Sequence, residues 1–451
     1  LKDDLPANPK TDMNECQMRN DVMRSMRPFL TLWVGQVFSL IGSQLVQFAL
    51  IWWLTQETGS ATILAFASIV GLVPQVVLGP FVGPLIDRWN RKWTMIVADA
   101  VVALSTVGLV YLFATDTIVV WHVFVALFIR ALGGAFHWPA MTASTSLMVP
   151  PQYLTRVQGL NQILNGGLGI ASAPLGALLL SLFPMQNILM IDIVTAALAI
   201  VIITFVDVPQ PQPAAEQADA PGSAYFADLR AGLRYLLNWR GLLILAGMGM
   251  LVNMVLSPTN TFMPLLVTDH FAGTAWHLGL LEAGFGIGVL GGGIVLGVWG
   301  GFQRRVVTSL LGLSGIGLGI LIVGLAPASL FPLAVAGMIL AGAMGSLCNG
   351  PIMAIFQAQV APDMQGRVFT LVGSATASMM PVGLIVAGPL ADIIGVRAWF
   401  LGGGLITIVV GVAGFFFPAL MNIEGERNDG VQARAEDAPL LSNLMEPAEG
   451  L

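Results

Sequence analysis

The stretch "GPLIDRWNRK", residues 83–92, carries four charges in ten positions of a chain whose charged residues amount to only 10%. Long apolar runs flank it, "ATILAFASIVGLVPQVVL" (61–78) before and "WTMIVADAVVALSTVGLVYLF" (93–113) after. Each flank is long enough to cross a bilayer, so the charged decapeptide reads as a short loop between two membrane helices.

The same reading extends along the chain. Its 451 residues are 56% hydrophobic with a mean hydropathy of +0.82, whereas soluble domains carry about 25% charged residues. Twelve apolar runs stand out, at 29–54, 61–82, 93–114, 118–140, 157–183, 187–206, 241–267, 277–299, 306–325, 330–358, 368–390 and 397–420. A bilayer offers no water to unpaired backbone groups, so runs of this length form helices, and their continuity excludes the alternating strands of a barrel. The expected fold is an all-α integral membrane protein of twelve transmembrane helices.

Lys and Arg collect on the cytoplasmic side of a membrane. With the N-terminus placed inside, 17 of the 19 fall in the termini and the loops of one side, Arg397 falls outside and Arg130 lies within the fourth span. Both termini are therefore expected in the cytoplasm. The eleven Trp fall near predicted helix ends, as an aromatic belt does. The domain organisation follows: a cytoplasmic tail over 1–28, six helices over 29–206, a linker over 207–240, six more helices over 241–420 and an acidic, disordered tail over 421–451. Within the linker, a Pro/Ala-rich stretch precedes "YFADLRAGLRYLL" (225–237), whose Phe and Leu residues share one helical face. No signal-peptide core is visible in residues 1–28.

The two halves repeat weakly. "VPPQYLTRV" (149–157) and "VAPDMQGRV" (360–368) follow the fourth and tenth spans, and "APLG" (173–176) matches "MPVG" (380–383). Six-plus-six repeats belong to transporters whose halves rock about a central site.

Polar residues within the spans need a reason. Gln36, Ser39, Ser43 and Gln47 share one face of the first span, and Asn253, Ser257 and Asn260 one face of the seventh. The tenth carries Ser346, Asn349 and Gln357, and the fourth Arg130 and His137. These residue types either line a polar cavity or bond helices to one another. None of the three stripes is charged, and Met250, Met254, Phe262, Met353 and Phe356 lie close in sequence. Such a pocket suits an amphipathic, largely apolar molecule. Charges inside the spans are few. Asp99 and Arg130 are expected to pair, Glu282 and Asp99 are candidates to carry a proton, and Asp192 reads as structural.

Other chemistries are disfavoured. Cys16 and Cys348 give no disulfide framework or metal spacing, and the four His show no H-E-x-x-H pattern. A G-x-G-x-x-G pattern at 286–291 lies inside an apolar span with no strand before it, so its glycines read as helix packing. No cofactor, metal or nucleic-acid partner is implied, and the chain is not read as an enzyme.

The loop at 83–92 also carries a motif. G-x-L-x-D-R-x-x-R-K resembles the signature between helices 2 and 3 of the major facilitator superfamily, with Gly83, Leu85, Asp87, Arg88, Arg91 and Lys92 in register. Asn90 replaces the second glycine, where tolerance of the left-handed conformation is expected. The resemblance implies a gate that clamps the two halves on the inside, and a cavity lined by helices 1, 4, 7 and 10. "RALGGAFHWPA" (130–140) resembles the signature of proton-linked members, which implies a role for Arg130 in proton transfer. "GIASAPLGA" (169–177) resembles a reduced antiporter signature. Together with "GQVFSLIGSQLVQFALIWWLTQETGSA" (35–61) and "GRVFTLVGS" (366–374), these stretches are similar to the macrolide-efflux branch of the drug/proton antiporters over roughly 30–420. The branch also resembles exporters of siderophores and lysolipids. The resemblance implies a monomeric, multi-pass exporter of lipophilic small molecules in the inner (cytoplasmic) cell membrane, energised by the proton gradient. A transport-dead sensor of the same fold is the alternative of a different class.

Overall fold

A computed structural model describes residues 9–210, 230, 233–237, 239–361 and 364–424. The proposed linker helix and the tail beyond residue 424 lie largely or wholly outside the described residues. So do the side chains of residues 9–25 and of Asp87.

Twelve helices among the described residues are long and apolar enough to cross a membrane, as the apolar runs require. They are α1 (Pro9–Thr58), α2 (Ala61–Arg88), α3 (Arg91–Ala114), α4 (Val120–Met148), α5 (Leu154–Leu182), α6 (Met185–Phe205), α7 (Arg240–Leu265), α8 (Ala275–Trp299), α9 (Arg305–Leu325), α10 (Phe331–Gln359), α11 (Gln365–Ile394) and α12 (Val396–Gly414). A π-helical turn, Leu266–His270, prolongs α7. No strand occurs among the described residues.

The chain divides into two compact units. In the first, α1 packs against α4, α5 and α6, and α3 packs against α4 and α6. In the second, α7 packs against α11 and α12, and α9 packs against α10 and α12. The pairings α1–α5, α1–α6, α3–α4 and α3–α6 thus recur six helices later, which gives the weak sequence repeat a structural counterpart.

Small residues set the close approaches. A Cβ on Gly42 of α1 would meet the Thr195 hydroxyl and the Asp192 backbone of α6. In the second unit Gly284, Gly288 and Gly292, one turn apart on α8, lie against Val335, Ile339 and Ala343 of α10. Of the glycines in the 286–291 pattern, Gly288 packs as expected and Gly291 faces open space, so the packing stripe is Gly284, Gly288 and Gly292. Gly176 of the "GIASAPLGA" stretch sits against Phe48 of α1, while Gly166, Gly167 and Gly169 face open space.

Two local expectations are corrected. Asn90 is not left-handed. It has φ −70 and ψ 109, and its side chain accepts a hydrogen bond from the Trp93 backbone, so it is the N-cap of α3. The fourth span does not stop near residue 140 but runs to Met148. Its last turns are rich in Ser and Thr, which read as loop. Thr142, Ser144, Thr145 and Ser146 donate to the carbonyls of Trp138, Ala140, Met141 and Ala143. Their polarity is absorbed by their own helix.

Ser60–Ala65, at the start of α2, belong to the second unit. The Asp392 carboxylate near the end of α11 accepts from the Ala61 backbone at 2.6 Å, the Thr62 backbone at 3.1 Å and the Ser60 hydroxyl at 3.0 Å. A carboxylate at a helix start satisfies donors that the helix itself cannot.

Candidate functional site

The α4 register decides which charges meet. Asp99 lies eight residues into α3, about 12 Å at 1.5 Å per residue. At the same end of the bundle α4 stops at Met148, which puts His137 about 16 Å from that end and Arg130 about 27 Å. Asp99 is therefore level with His137, not with Arg130. The expected Asp99–Arg130 pair does not form. Arg130 instead donates to Asp192 of α6 at 2.6 Å, and Asp99 Oδ1 lies 3.5 Å from His137 Nε2.

The Arg130–Asp192 pair is buried and fully furnished. Asp192 is 1% exposed. Its Oδ1 accepts from the Ser43 hydroxyl at 3.0 Å, and Thr106 Oγ1 lies 3.0 Å from Oδ2. Arg130 also donates to the Ser43 carbonyl at 3.0 Å and to Thr106 at 3.3 Å. A buried ion pair holds only when its remaining lone pairs and protons are matched in this way. Sequence reasoning read Asp192 as structural without giving it a partner, and did not single out Thr106. The available signal was the charge imbalance: one Arg in the first six spans against two Asp.

Above this pair lies a cavity of about 450 Å³ lined by Gln36, Ser39, Ser43, Gln47, Asp99, Arg130 and His137, with Gln44 and Gln75. All four polar residues singled out on α1 reach it. Ser43 does so with its hydroxyl already engaged by Asp192. A second cavity, of about 240 Å³, shares Gln36 and His137 and adds the amides of Gln158, Asn161, Gln162 and Asn165.

The second unit holds a cavity of about 420 Å³ lined by Asn253, Ser257, Asn260 and Asn349 among apolar side chains such as Met248, Leu256 and Phe356. Asn253 and Asn349 donate to the carbonyls of Gly249 and Gly345 in their own helices. Ser346 is absent from this wall. Its hydroxyl donates to the Val289 carbonyl of α8 at 2.8 Å, so it bonds helices together. Gln357 is also absent and is exposed. Phe262 is sealed in the core rather than lining the pocket. Glu282 is half-buried on α8 and lies outside the walls of these cavities.

The charged loop at 88–92 is tied into the first unit. The buried Arg91 guanidinium donates to the Ala143 carbonyl at 2.8 Å, and its backbone N–H to Gln210 at 3.0 Å. Lys92 Nζ donates to the Thr204 carbonyl in the last turn of α6 at 2.8 Å, where a cation complements the helix dipole. Gly83 faces open space, and Arg88 is exposed at the end of α2.

This combination of twelve helices, a repeated six-helix unit and an internal polar cavity matches known proteins. The sequence profile of the Major Facilitator Superfamily matches residues 32–384. "Macrolide efflux protein A" of Streptococcus pyogenes is 36% identical over 384 residues, covering 85% of this chain and 94% of that protein. "Multidrug efflux pump Tap" of Mycolicibacterium fortuitum is 25% identical over 417 residues, covering 88% and 97%. The crystal structure of the nucleoside transporter NupG superposes with a TM-score of 0.64 at 15% identity, covering 86% of this chain and 98% of that one, a likeness of fold alone. The chain is thus a multi-pass membrane protein that belongs to the Major Facilitator Superfamily, in the branch that holds macrolide efflux protein A.

Proposed function

We propose that this protein is a secondary active exporter that moves lipophilic or amphipathic drugs, macrolides among them, out of the cell in exchange for protons. The coarse reading, an efflux transporter of its superfamily, rests on relatives named for macrolide and multidrug efflux. The finer reading rests on one observation above all. The 450 Å³ cavity of the first unit presents amides, hydroxyls and a carboxylate, Asp99, whose one ion-pair contact among the described residues is His137 at 3.5 Å. A volume of this size holds a drug-sized ligand or a large part of one. The amides bind its oxygens, and the carboxylate supplies a negative charge that a bound cation neutralises in a low-dielectric site.

In this reading the helices carry no cofactor, and the proton gradient is the energy source. Both termini face the cytoplasm, the protein is a monomer in the inner (cytoplasmic) membrane, and transport proceeds by alternating access. Asp87 and Arg88, with the anchored Arg91 and Lys92, form the inner gate. Asp99 is the coupling carboxylate. Glu282 is the alternative carrier, and Arg130, locked to Asp192, acts as a fixed counter-charge.

The test is accumulation of labelled erythromycin in pump-deficient bacteria that express the chain, with and without a protonophore. Lowered accumulation that the protonophore abolishes is expected, with Asp99→Asn inactive. Accumulation equal to an empty-vector control, with the protein present in the membrane, would remove the macrolide assignment. Siderophores and lysolipids would then be the next substrates to try. Loss of coupling in Glu282→Gln with Asp99→Asn intact would move the proton site to α8.

A further inference from the structure

Three buried polar atoms on residues that line the first unit's cavity have no hydrogen-bond partner among the described residues: Gln36 Nε2, Asp99 Oδ2 and His137 Nε2. All three residues line the 450 Å³ cavity, and Gln36 and His137 also line the smaller one beside it. A buried polar atom left unpaired costs about 1–3 kcal/mol, and more when charged. Three such atoms around one cavity point to a ligand that satisfies them.

The charges around the cavity say which kind. On α4, Arg130 is neutralised by Asp192 of α6. The lining residues of α1, α2 and α5 are amides, hydroxyls and apolar groups, with no titratable side chain among them. Asp99 of α3 therefore faces a single titratable base, His137. The other three histidines are engaged elsewhere. His122 and His277 accept from backbone N–H groups at the starts of α4 and α8, and His270 bonds the Ala326 carbonyl. His137 alone stands in a helix interior, and its Nε2 points at a carboxylate without making a hydrogen bond. A buried carboxylate without a counter-charge is costly. The Asp99–His137 site is neutral only when it holds one extra positive charge.

We propose that this pair is an exchange site for two cations, a proton on His137 and the protonated amine of a basic amphiphile, each neutralising Asp99 in turn. The inference rests on the export reading and names the substrate class for it. With the site empty of drug, the His137 imidazolium faces Asp99 Oδ1. When the drug enters, its ammonium N–H donates to Asp99 Oδ2, the oxygen that lacks a partner. The Nε2–H bond of His137 then breaks, the electron pair stays on nitrogen, and the proton leaves to water. Asp99 remains a carboxylate throughout, and the charge of the site does not change. Gln36 Nε2, a donor, suits a hydroxyl or ether oxygen of the same molecule. Discharge of the amine on the other side is the reverse, with a proton taken up by His137.

The test uses the purified full-length chain in lipid nanodiscs, in weakly buffered solution with a pH indicator. The probes are erythromycin, a tertiary amine, and its N-acetyl-N-desmethyl derivative, in which that nitrogen is a neutral amide. Erythromycin is expected to bind about 10- to 100-fold more tightly than the amide, the range of a charge-assisted hydrogen bond. Its binding is expected to release about one proton. H137Q should bind erythromycin without releasing the proton, and D99N should bind both probes alike. Equal affinities for the two probes in the wild-type chain, or proton release that persists in H137Q, would overturn the proposal. Should D99N fail to fold, H137Q and the two-probe comparison decide alone. If equal affinities accompany protonophore-sensitive export in cells, only this inference falls. If neither probe binds, it falls together with the macrolide assignment.

Discussion

The cavities of the two units are close in size, about 450 and 420 Å³, and unlike in chemistry. The first is walled by amides and hydroxyls around two carboxylate-centred pairs, Arg130–Asp192 and Asp99–His137. The second holds no charged group in its wall, and two of its three asparagines, Asn253 and Asn349, turn their N–H groups back onto their own helices. One sequence repeat has thus produced a unit that manages charge and a unit that offers apolar surface. Under the proposed exchange, energy coupling falls to the first unit and bulk recognition to the second.

The largest effect that can break this contrast is removal of one partner of the buried pair. Asp192→Leu leaves Arg130 buried and uncompensated, which costs about 3–5 kcal/mol. The expected outcome is loss of monodisperse protein in size-exclusion chromatography. Arg130→Met together with Asp192→Leu should recover much of the folded yield, because an apolar pair of similar volume replaces the ions. If the double variant is no better than the single one, the pair is not the stabilising unit described here. Next in size is overpacking of the second unit. Gly288→Val forces a side chain into the Ile339 backbone of α10 and should cost about 1–3 kcal/mol, read as a lower melting temperature. Gly291→Ala, facing open space on the same helix, should melt near wild type.

The smaller predictions concern activity. Asp99→Asn should abolish drug-driven collapse of a proton gradient in everted vesicles while melting close to wild type. Asn253→Ala, in the other cavity, should leave the pH dependence of transport unchanged and shift the ranking of drugs only a few-fold, about 1 kcal/mol of binding. A pH profile altered by Asn253→Ala would erase the proposed division between the units. The smallest effect is Ser346→Ala, which removes one interhelical hydrogen bond worth about 0.6 kcal/mol in a membrane, with transport retained.

Much of the fold was legible because the bilayer imposes a simple rule. Every span had to be a long apolar helix, and all twelve were recognisable from their runs. The short charged connection between α2 and α3 was legible from residue types and order. What the sequence hid was how far α4 continues. Thr142, Ser144, Thr145 and Ser146 look like loop residues, yet each bonds a carbonyl of its own helix. The eight residues past 140 slide Arg130 away from Asp99 and bring His137 level with it. A depth estimate based on the apolar run alone pairs the wrong side chains. Ser346 shows a second limit. A polar residue on a helix has one of two uses, and a stripe that reads as cavity lining includes members spent on helix contacts. Asn90 shows a third, since the residue that replaces a glycine there caps the next helix instead of imitating the glycine's backbone.

The Arg130–Asp192 bond also sets conditions on biogenesis. Its partners are 62 residues apart, and at ~5–20 residues per second the ribosome takes about 3–12 s to make the second after the first. Throughout that interval α4 carries an arginine whose counter-ion has not been synthesised. It cannot settle alone into hydrocarbon without a cost of several kcal/mol. The helix must therefore wait, sheltered by the insertion channel or by lipid headgroups, until α6 emerges. On this view α3 to α6 enter the bilayer as a cohort. A pause in translation between Arg130 and Asp192 would lower the yield of a protein whose finished structure it leaves unchanged.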